Sequence, residues 1–530
     1  LGTASIASLL GDAKDAIKVL ADTWRDEYRK LNERHQGTKD GDPYKKALEL
    51  EKKRHEEEYL LRDLAARAFL PGYGFPTGVV NLNTYNIEDF KQSAKSRESR
   101  SREDNIYSHK EQPSRDLPVA IREYAPGAQI VVDGRVYRSA GVSLKNYSSG
   151  QEGGQRFDLA WSCGHCGAHG FKELAYVSGE ELSCTQCHTL IGPNERKKVL
   201  RPLGFTTDFY EPTSNDVSAQ KFIPVAKPQI SVNENVVALP DERCGFIRYG
   251  QKGTVLYHSG GEHGTGYAVC LACGVAGSMA ATGEVPESLR PDKFHRPIGG
   301  ASGSHKDREC SGESVARDIY LGYQAQTDVL ELVLRNPGSG EWIPANDEGA
   351  VIAMTLAVAL RDVIADKLGI SASEMGFGTR QDRDLDTGSI RYVIQLYDDV
   401  AGGAGFVLAG LDDISALMGA MISKLECPAD CQNICSSCLA SKDSRVEYNE
   451  LDRRAALNWI NESALRSHLQ LPAPFSAIAG ATYWPYDAQR FVRSALNDNA
   501  AVIVLALSGD AMEWEIGSPG FRRLVMGWKV

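Results

Sequence analysis

Twelve cysteines occur in this 530-residue chain, and eleven fall into three groups with metal-ligand spacing: Cys163/Cys166/Cys184/Cys187, Cys270/Cys273/Cys310 and Cys427/Cys431/Cys435/Cys438. No other feature constrains the fold as strongly, because thiolates spaced in this way close loops around a cation. The first group reads CGHC, seventeen residues, CTQC. Two such knuckles joined by a short hairpin-forming stretch put four thiolates at the corners of a tetrahedron, the signature of a closed structural zinc ribbon. The last group, CPADCQNICSSC, packs four thiolates into twelve residues, so one loop wraps one metal. Buried free thiols or disulfides are the bland alternative. A redox dithiol fits less well, since a redox Cys-x-x-Cys needs no second knuckle.

The middle group is one ligand short. Cys270 and Cys273 form a knuckle in YAVCLACG, Cys310 follows in DREC, and His295 and His305 stand between them. An imidazole would complete a Cys₃His site, and His295 in the FHRP turn is preferred over His305 in a Gly/Ser-rich loop. Cys244, before an apolar strand, reads as a small core residue although it is an alternative fourth ligand. A middle site left with three thiolates would be an open, hydrolytic centre. The expected complement is two to three structural zinc ions.

Composition describes a mixed, multidomain protein without a membrane span. Hydrophobic residues make up 42% of the chain, and no run of eighteen apolar residues occurs. The opening LGTASIASLL lacks a basic start and a cleavage site, and zinc thiolates suit a reducing compartment, so a cytoplasmic location is expected. A net charge of -11 excludes a protein that coats nucleic acid with its whole surface, leaving local patches to carry any such contact. The best patch is KQSAKSRESRSR, with Lys91, Lys95, Arg97, Arg100 and Arg102, which reads equally as a solvated loop. Tyr107, Tyr124 and Tyr137 lie nearby as possible stacking residues or as packing residues of hairpins.

Periodicity divides the chain into six segments. Residues 1–70 read as an antiparallel helical pair, with stripes at Ile17, Leu20, Trp24, Tyr28 and Leu31, and at Leu60, Leu61 and Leu64. Residues 71–156 are a β-rich linker module in which Asp133-Gly134 marks a two-residue hairpin, and 157–195 hold the Cys₄ ribbon. Residues 196–325 form a β-rich module with the second site, and 326–445 are α/β with the third. Residues 446–530 are a helical and α/β tail without assignment. Within the α/β segment, QTDVLELVL and RYVIQLYDD read as strands. DEGAVIAMTLAVALRDVIADKLG reads as a helix facing Val351, Met354, Leu360 and Ile364 inward, and LAGLDDISALMGAMISKL as one facing Leu411, Ile414, Met418 and Ile422 inward.

No catalytic motif is present. GTGY at Gly264 and GGAG at Gly402 lack the lysine of a triphosphate-binding loop, and there is neither a serine nucleophile elbow nor a His-Glu-x-x-His. The unusual loop is LYDDVAGGAGF, where Asp398 precedes Gly402, Gly403 and Gly405 directly after a strand. Strand ends of α/β sheets place ligands there. The structural alternative is a tight strand-to-helix turn with Asp399 capping the next helix.

In order, LPGYGFP, REYAPG with its hairpin, the Cys₄ ribbon, Cys-x-x-Cys-Gly with downstream His and Cys, TDVLEL, LYDDVAGGAGF and the four-cysteine loop resemble a known arrangement. It is similar to the C-terminal region of bacterial superfamily 2 DNA helicases with an MrfA-like zinc-binding domain, including anti-phage defence helicases of the Druantia and DISARM type. The resemblance spans roughly residues 60 to 455. It implies that Cys427, Cys431, Cys435 and Cys438 are the family's zinc ligands and that Gly402, Gly403 and Gly405 are its glycine-rich turn. It implies DNA as a partner and ATP acting through a motor outside this chain, supplied in cis or by a separate subunit. A zinc-stapled scaffold that docks a separate ATPase is the competing reading.

Overall fold

The structure, a computed structural model, describes residues 78–84, 112–144 and 157–469 apart from short gaps, the longest at 297–309, with scattered helical positions between 11 and 64 and at 86–89. Two sheets carry the architecture. A five-stranded sheet has the spatial order Ser114–Asp116, Val79–Asn83, Gly204–Thr207, Arg135–Ser143, Gln129–Val132. An eleven-stranded sheet is organised around one strand of 20 residues, Val315–Leu334.

That long strand is the spine of the molecule. From Leu321 to Leu334 it pairs antiparallel with Gly245–Ser259, interrupted by a bulge between Gly250 and Gly253. Its first half also takes Arg196–Leu200 in parallel and Tyr267–Cys270 antiparallel, and its second half takes Ile390–Asp398. The strand therefore runs through the 325/326 division drawn from composition. Gly204–Thr207 likewise leaves the segment after the ribbon to pair with Val79–Asn83 and Arg135–Ser143. Chain texture records where element type changes, whereas pairing is set by which apolar faces meet.

Period-2 alternation gives the second half of the spine two different faces. Leu330, Leu332 and Leu334 point to one side, into a core shared with the helix Asp347–Leu368. This helix starts where the Asn346 side chain accepts the Gly349 N–H at 2.9 Å, and it ends on Gly369 in the left-handed region. Met354, Leu360 and Ile364 are buried as expected, and Val351 is half-buried. Ile414–Leu425 packs beside it through Ile414, Met418 and Ile422, with Leu411 buried just ahead in a 3-10 turn. Arg453–Glu462 closes the layer, capped by Asp452, which accepts N–H groups of Arg454 and Ala455.

Two local expectations hold and one does not. Asp133 and Gly134 form the two-residue hairpin turn, both with positive φ, between Val132 and Arg135. The N-terminal helices run antiparallel, since Tyr28 donates to Glu56 at 2.6 Å and Lys52 to Asn32 at 3.0 Å. Their stripes, however, are not a closed core: Ile17, Leu60 and Leu61 are exposed. Among described residues, no helix is long and apolar enough to cross a membrane.

The opposite face of the spine sets a buried charge, Glu331, between the buried Val329 and Val333. Glu331, fully buried, accepts from Arg380 at 3.0 and 3.2 Å and from Gln395 at 2.6 Å, and forms an ion pair with Arg248 at 2.7 Å. Burial alone would raise this carboxyl, but Arg380 and Arg248 hold it down to about 2, so it stays ionised. Asp382 ties the same arginines together with Arg391. Removing the central anion leaves buried guanidinium groups uncompensated. Glu331→Ala is expected to cost about 3–5 kcal/mol in urea denaturation of the zinc-loaded protein; a loss below about 1 kcal/mol would show that the network is not a stabilising unit.

Candidate metal centres and the glycine-rich turn

Each knuckle of the first group is a tight turn. Gly167 donates its N–H to the Cys163 carbonyl at 2.8 Å and His188 donates to Cys184 at 3.1 Å, both with positive φ. Cys163 Sγ and Cys187 Sγ lie 3.6 Å apart, as do those of Cys166 and Cys184. Thiolates on a tetrahedral zinc with bonds of about 2.3 Å stand about 3.8 Å apart, whereas a disulfide closes to about 2.05 Å. The ribbon is seated on the sheet: Arg383 donates to the His165 carbonyl at 2.8 Å and Arg380 to that of Gly167 at 3.3 Å. A Cβ on Gly167 would meet the Gln381 carbonyl at 1.9 Å, so only glycine permits this approach.

In the middle group, residues far apart in sequence are brought together by one antiparallel bridge, His295 to Cys310, with both backbone hydrogen bonds formed. Cys270 and Cys310 sulfurs are 3.6 Å apart, and His295 Nε2 lies 3.2 Å from Cys273 Sγ. Hydrogen bonding to Cys270 and Cys310 raises His295 to about 9, the response of an imidazole set among thiolates. His295 thus completes a four-donor group with the composition of a closed structural site, which removes the basis for the open, hydrolytic reading. His305 lies outside the described residues. Cys244 is a lone, fully buried core residue whose thiol burial pushes up to about 12.

The third group begins two residues after the helix Ile414–Leu425 ends, with Glu426 between. Cys427 and Cys435 sulfurs are 3.6 Å apart and those of Cys431 and Cys438 3.7 Å. Without a cation the four thiols cannot ionise together. Backbone amides of Cys431 and Ala429 hold Cys427 down to about 6, while burial drives Cys438 up to about 12. A divalent metal resolves that conflict by deprotonating every ligand. In all three groups the four ligand atoms lie within 4.8 Å of one another.

Sequence reasoning missed Arg453. Its buried guanidinium donates Nε–H to Cys431 Sγ at 3.2 Å, Nη1–H to the Leu425 carbonyl at 3.1 Å and Nη2–H to Asp430 at 2.8 Å. It ties the loop to the helix end and places a positive charge beside four thiolates. Nothing in its spacing from the cysteines announces this. Arg453→Ala is expected to weaken zinc retention by about 10- to 100-fold in a chelator competition; unchanged retention would reduce Arg453 to a packing residue.

The glycine-rich turn is filled by its own carboxylates. Asp398 accepts N–H groups from Ala404 at 2.7 Å, Phe406 at 3.0 Å and Val407 at 2.9 Å, and Asp328 accepts from Gly405 at 2.9 Å. These amides open the short helix Phe406–Ala409, so the capping residue is Asp398. Asp399 instead accepts from the Tyr257 hydroxyl at 2.6 Å. Period-2 alternation sends the two neighbours to opposite sides, which the loop's composition alone does not reveal. Gly403 has positive φ and a Cβ there would lie 2.4 Å from Asp328 Oδ2. Burial, then the Asp398 charge, raises Asp328 to about 6. The turn is thus an internal staple rather than a ligand cradle. Asp398→Ala is expected to cost about 2–4 kcal/mol in thermal unfolding, and Asp399→Ala less than half of that; the reverse order would refute the assignment.

Lys91, Lys95, Arg97, Arg100, Arg102 and Tyr107 lie outside the described residues. Tyr124 and Tyr137 are buried, Tyr124 edge-on to Phe205 at 6.0 Å, so packing rather than base stacking occupies them.

Comparison with known proteins places these features. Residues 356–439 match the family described as the MrfA Zn-binding domain, a span that contains the glycine-rich turn and the third cysteine group. The chain is 25% identical over 417 residues to the Druantia protein DruE of Escherichia coli (strain UMEA 4076-1), covering 75% of this chain and 21% of that protein. It thus spans about a fifth of the length of that curated relative. A solved structure described as the crystal structure of DUF1998 helicase MrfA bound to DNA aligns with 11% identity and a TM-score of 0.32, over 72% of this chain and 34% of that one. That superposition is too loose to carry an argument. From the family match, residues 356–439 of this chain carry an MrfA-like zinc-binding domain, within a longer stretch similar to DruE.

Proposed function

We propose that this chain is the zinc-stiffened, DNA-engaging part of an ATP-dependent helicase or translocase acting in anti-phage defence or DNA repair, with its motor outside these residues. The carrying observation is that a cysteine cluster inside the MrfA-type domain shares one sheet system with two further four-ligand clusters. Zinc at all three would make small β modules rigid, and rigid elements hold a strand in place while force is applied to it. No step of ATP hydrolysis is assigned to these residues.

A cationic strand supports the DNA contact. Arg196–Leu200 and the next residue place Arg196, Lys197, Lys198 and Arg201 in six positions. Lys197 stands over the Tyr320 ring at 5.6 Å, Lys198 over Phe157 and Tyr176 at 5.4 and 5.3 Å, and Arg201 over Tyr323 at 5.0 Å. Lys197 and Lys198 have no carboxylate partner among the described residues. Burial pulls Lys197 down to about 8, a loss that a bound phosphate would reverse. Cations held on aromatic rings and free of carboxylates suit a phosphate backbone.

The overall acidity, net -11, favours the second reading, a scaffold that docks a separate ATPase. Fluorescence anisotropy with labelled single- and double-stranded DNA across a salt series separates the two. Lys197→Ala/Lys198→Ala is expected to weaken binding and to lower the slope of log K against log salt by about 2. Absence of salt-dependent binding to either DNA form would reject the DNA role.

A further inference from the structure

Between the second knuckle of the first cysteine group and the Glu331 face of the large sheet lies a cleft of about 440 Å³, lined by His169, Thr185, Gln186, Ser231, Glu331 and Arg380. We propose that this cleft receives a single unstacked nucleobase. The inference rests on the DNA reading above and names what that reading leaves open, the chemistry recognised beside the ribbon.

The charge balance of the cleft selects an uncharged ligand. Both Glu331 oxygens are bound by Arg380, with Arg248 and Gln395 added, and Arg380 Nη1 donates to the Gly167 carbonyl and pairs with Asp382. Neither an anion nor a cation finds an uncompensated partner on this floor, and burying a charge against a balanced pair is unfavourable. His169 is neutral at pH 7, since burial and then the charges of Arg380 and Lys197 lower it to about 4. Its Nδ1 meets Ser162 Oγ at 3.0 Å, and its Nε2 has no partner among the described residues.

The walls supply neutral donors and acceptors on a rigid mount. Thr185 and Gln186 occupy the two positions between Cys184 and Cys187, so metal binding at the knuckle fixes their backbone. The Gln186 backbone N–H already points to Cys184 Sγ at 3.4 Å, while neither side chain has a hydrogen-bond partner among the described residues. A glutamine amide offers one donor edge and one acceptor edge, the pattern that pairs with a base edge. The cleft volume falls in the range of small-molecule sites, roughly 300–1,000 Å³. Phosphates are excluded from the cleft itself and left to cations outside it.

The test uses the full, zinc-loaded chain with two probes: a single-stranded oligonucleotide carrying one 2-aminopurine, and free adenosine. The oligonucleotide is expected to bind with a saturable change in 2-aminopurine fluorescence. Gln186→Ala and Thr185→Trp, which truncates and fills the cleft respectively, should each raise the concentration for half-change about tenfold. Zinc content should stay at the wild-type value, and anisotropy of an oligonucleotide without 2-aminopurine should shift by less than about threefold. Oligonucleotide binding without a 2-aminopurine change, or a change that both variants leave intact, overturns the inference while the DNA role stands. Adenosine binding lost in Gln186→Ala, without oligonucleotide binding, supports the cleft and rejects the DNA role. Failure of both probes rejects both.

Discussion

Thiolate clusters act here as joints, and each sits where two pieces of the fold must meet. The first group seats its Gly167 knuckle on Gln381–Arg383 of the large sheet. In the second, Gly274 follows Cys273 and offers its carbonyl to the Val142 N–H at 2.9 Å, linking the large sheet to the five-stranded one. The third joins the end of Ile414–Leu425 to the start of Arg453–Glu462 through Arg453. Metal at these points would cross-link separate segments, and the need is greatest at the ribbon. The ribbon's core is small, Leu159, Trp161, Ala168 and Ile191 packed against the cysteines themselves, so the ligand bonds must supply stability that burial does not.

The spine strand distributes those joints across one framework. One face of its second half packs on the helices, and the other presents Glu331, paired with Arg248 and Arg380, between Val329 and Val333. A sheet buried on both sides needs apolar residues or fully paired charges on each. The Glu331 face is met by ribbon residues instead of a helix, and the geometry that pairs Glu331 also makes a neutral floor beneath the first knuckle. Fold stability and the candidate nucleobase cleft therefore share side chains.

Much of this was legible in the sequence where a local pattern carries its own physics. Cysteine spacing names tetrahedral ligand sets, Asp133-Gly134 names a hairpin turn, and the i, i+3, i+4 stripes name the faces of the helices in the MrfA-like segment. His295 was legible for the same reason, a turn histidine lying between a knuckle and its missing cysteine. What was not legible depends on long-range register. Nothing in TDVLEL marks Glu331 as the centre of a buried charge network, because Arg248 and Arg380 arrive from strands far away in the chain. Asp398 and Asp399 are indistinguishable by composition, and only the pleat decides which one caps. Arg453 acts on a sulfur 22 residues away in sequence, a contact without periodic signature.

The proposed function is mechanical, resting on zinc-stiffened β modules and a cationic strand with aromatic supports. The claim beneath it is that metal, not disulfide or simple packing, holds the three clusters. Elemental analysis combined with zinc-edge X-ray absorption on the purified chain tests this most directly. The account predicts three zinc ions per chain in a shell averaging eleven sulfurs to one nitrogen. Fewer than one zinc per chain, with the cysteines oxidised or freely alkylated in a folded protein, would contradict it.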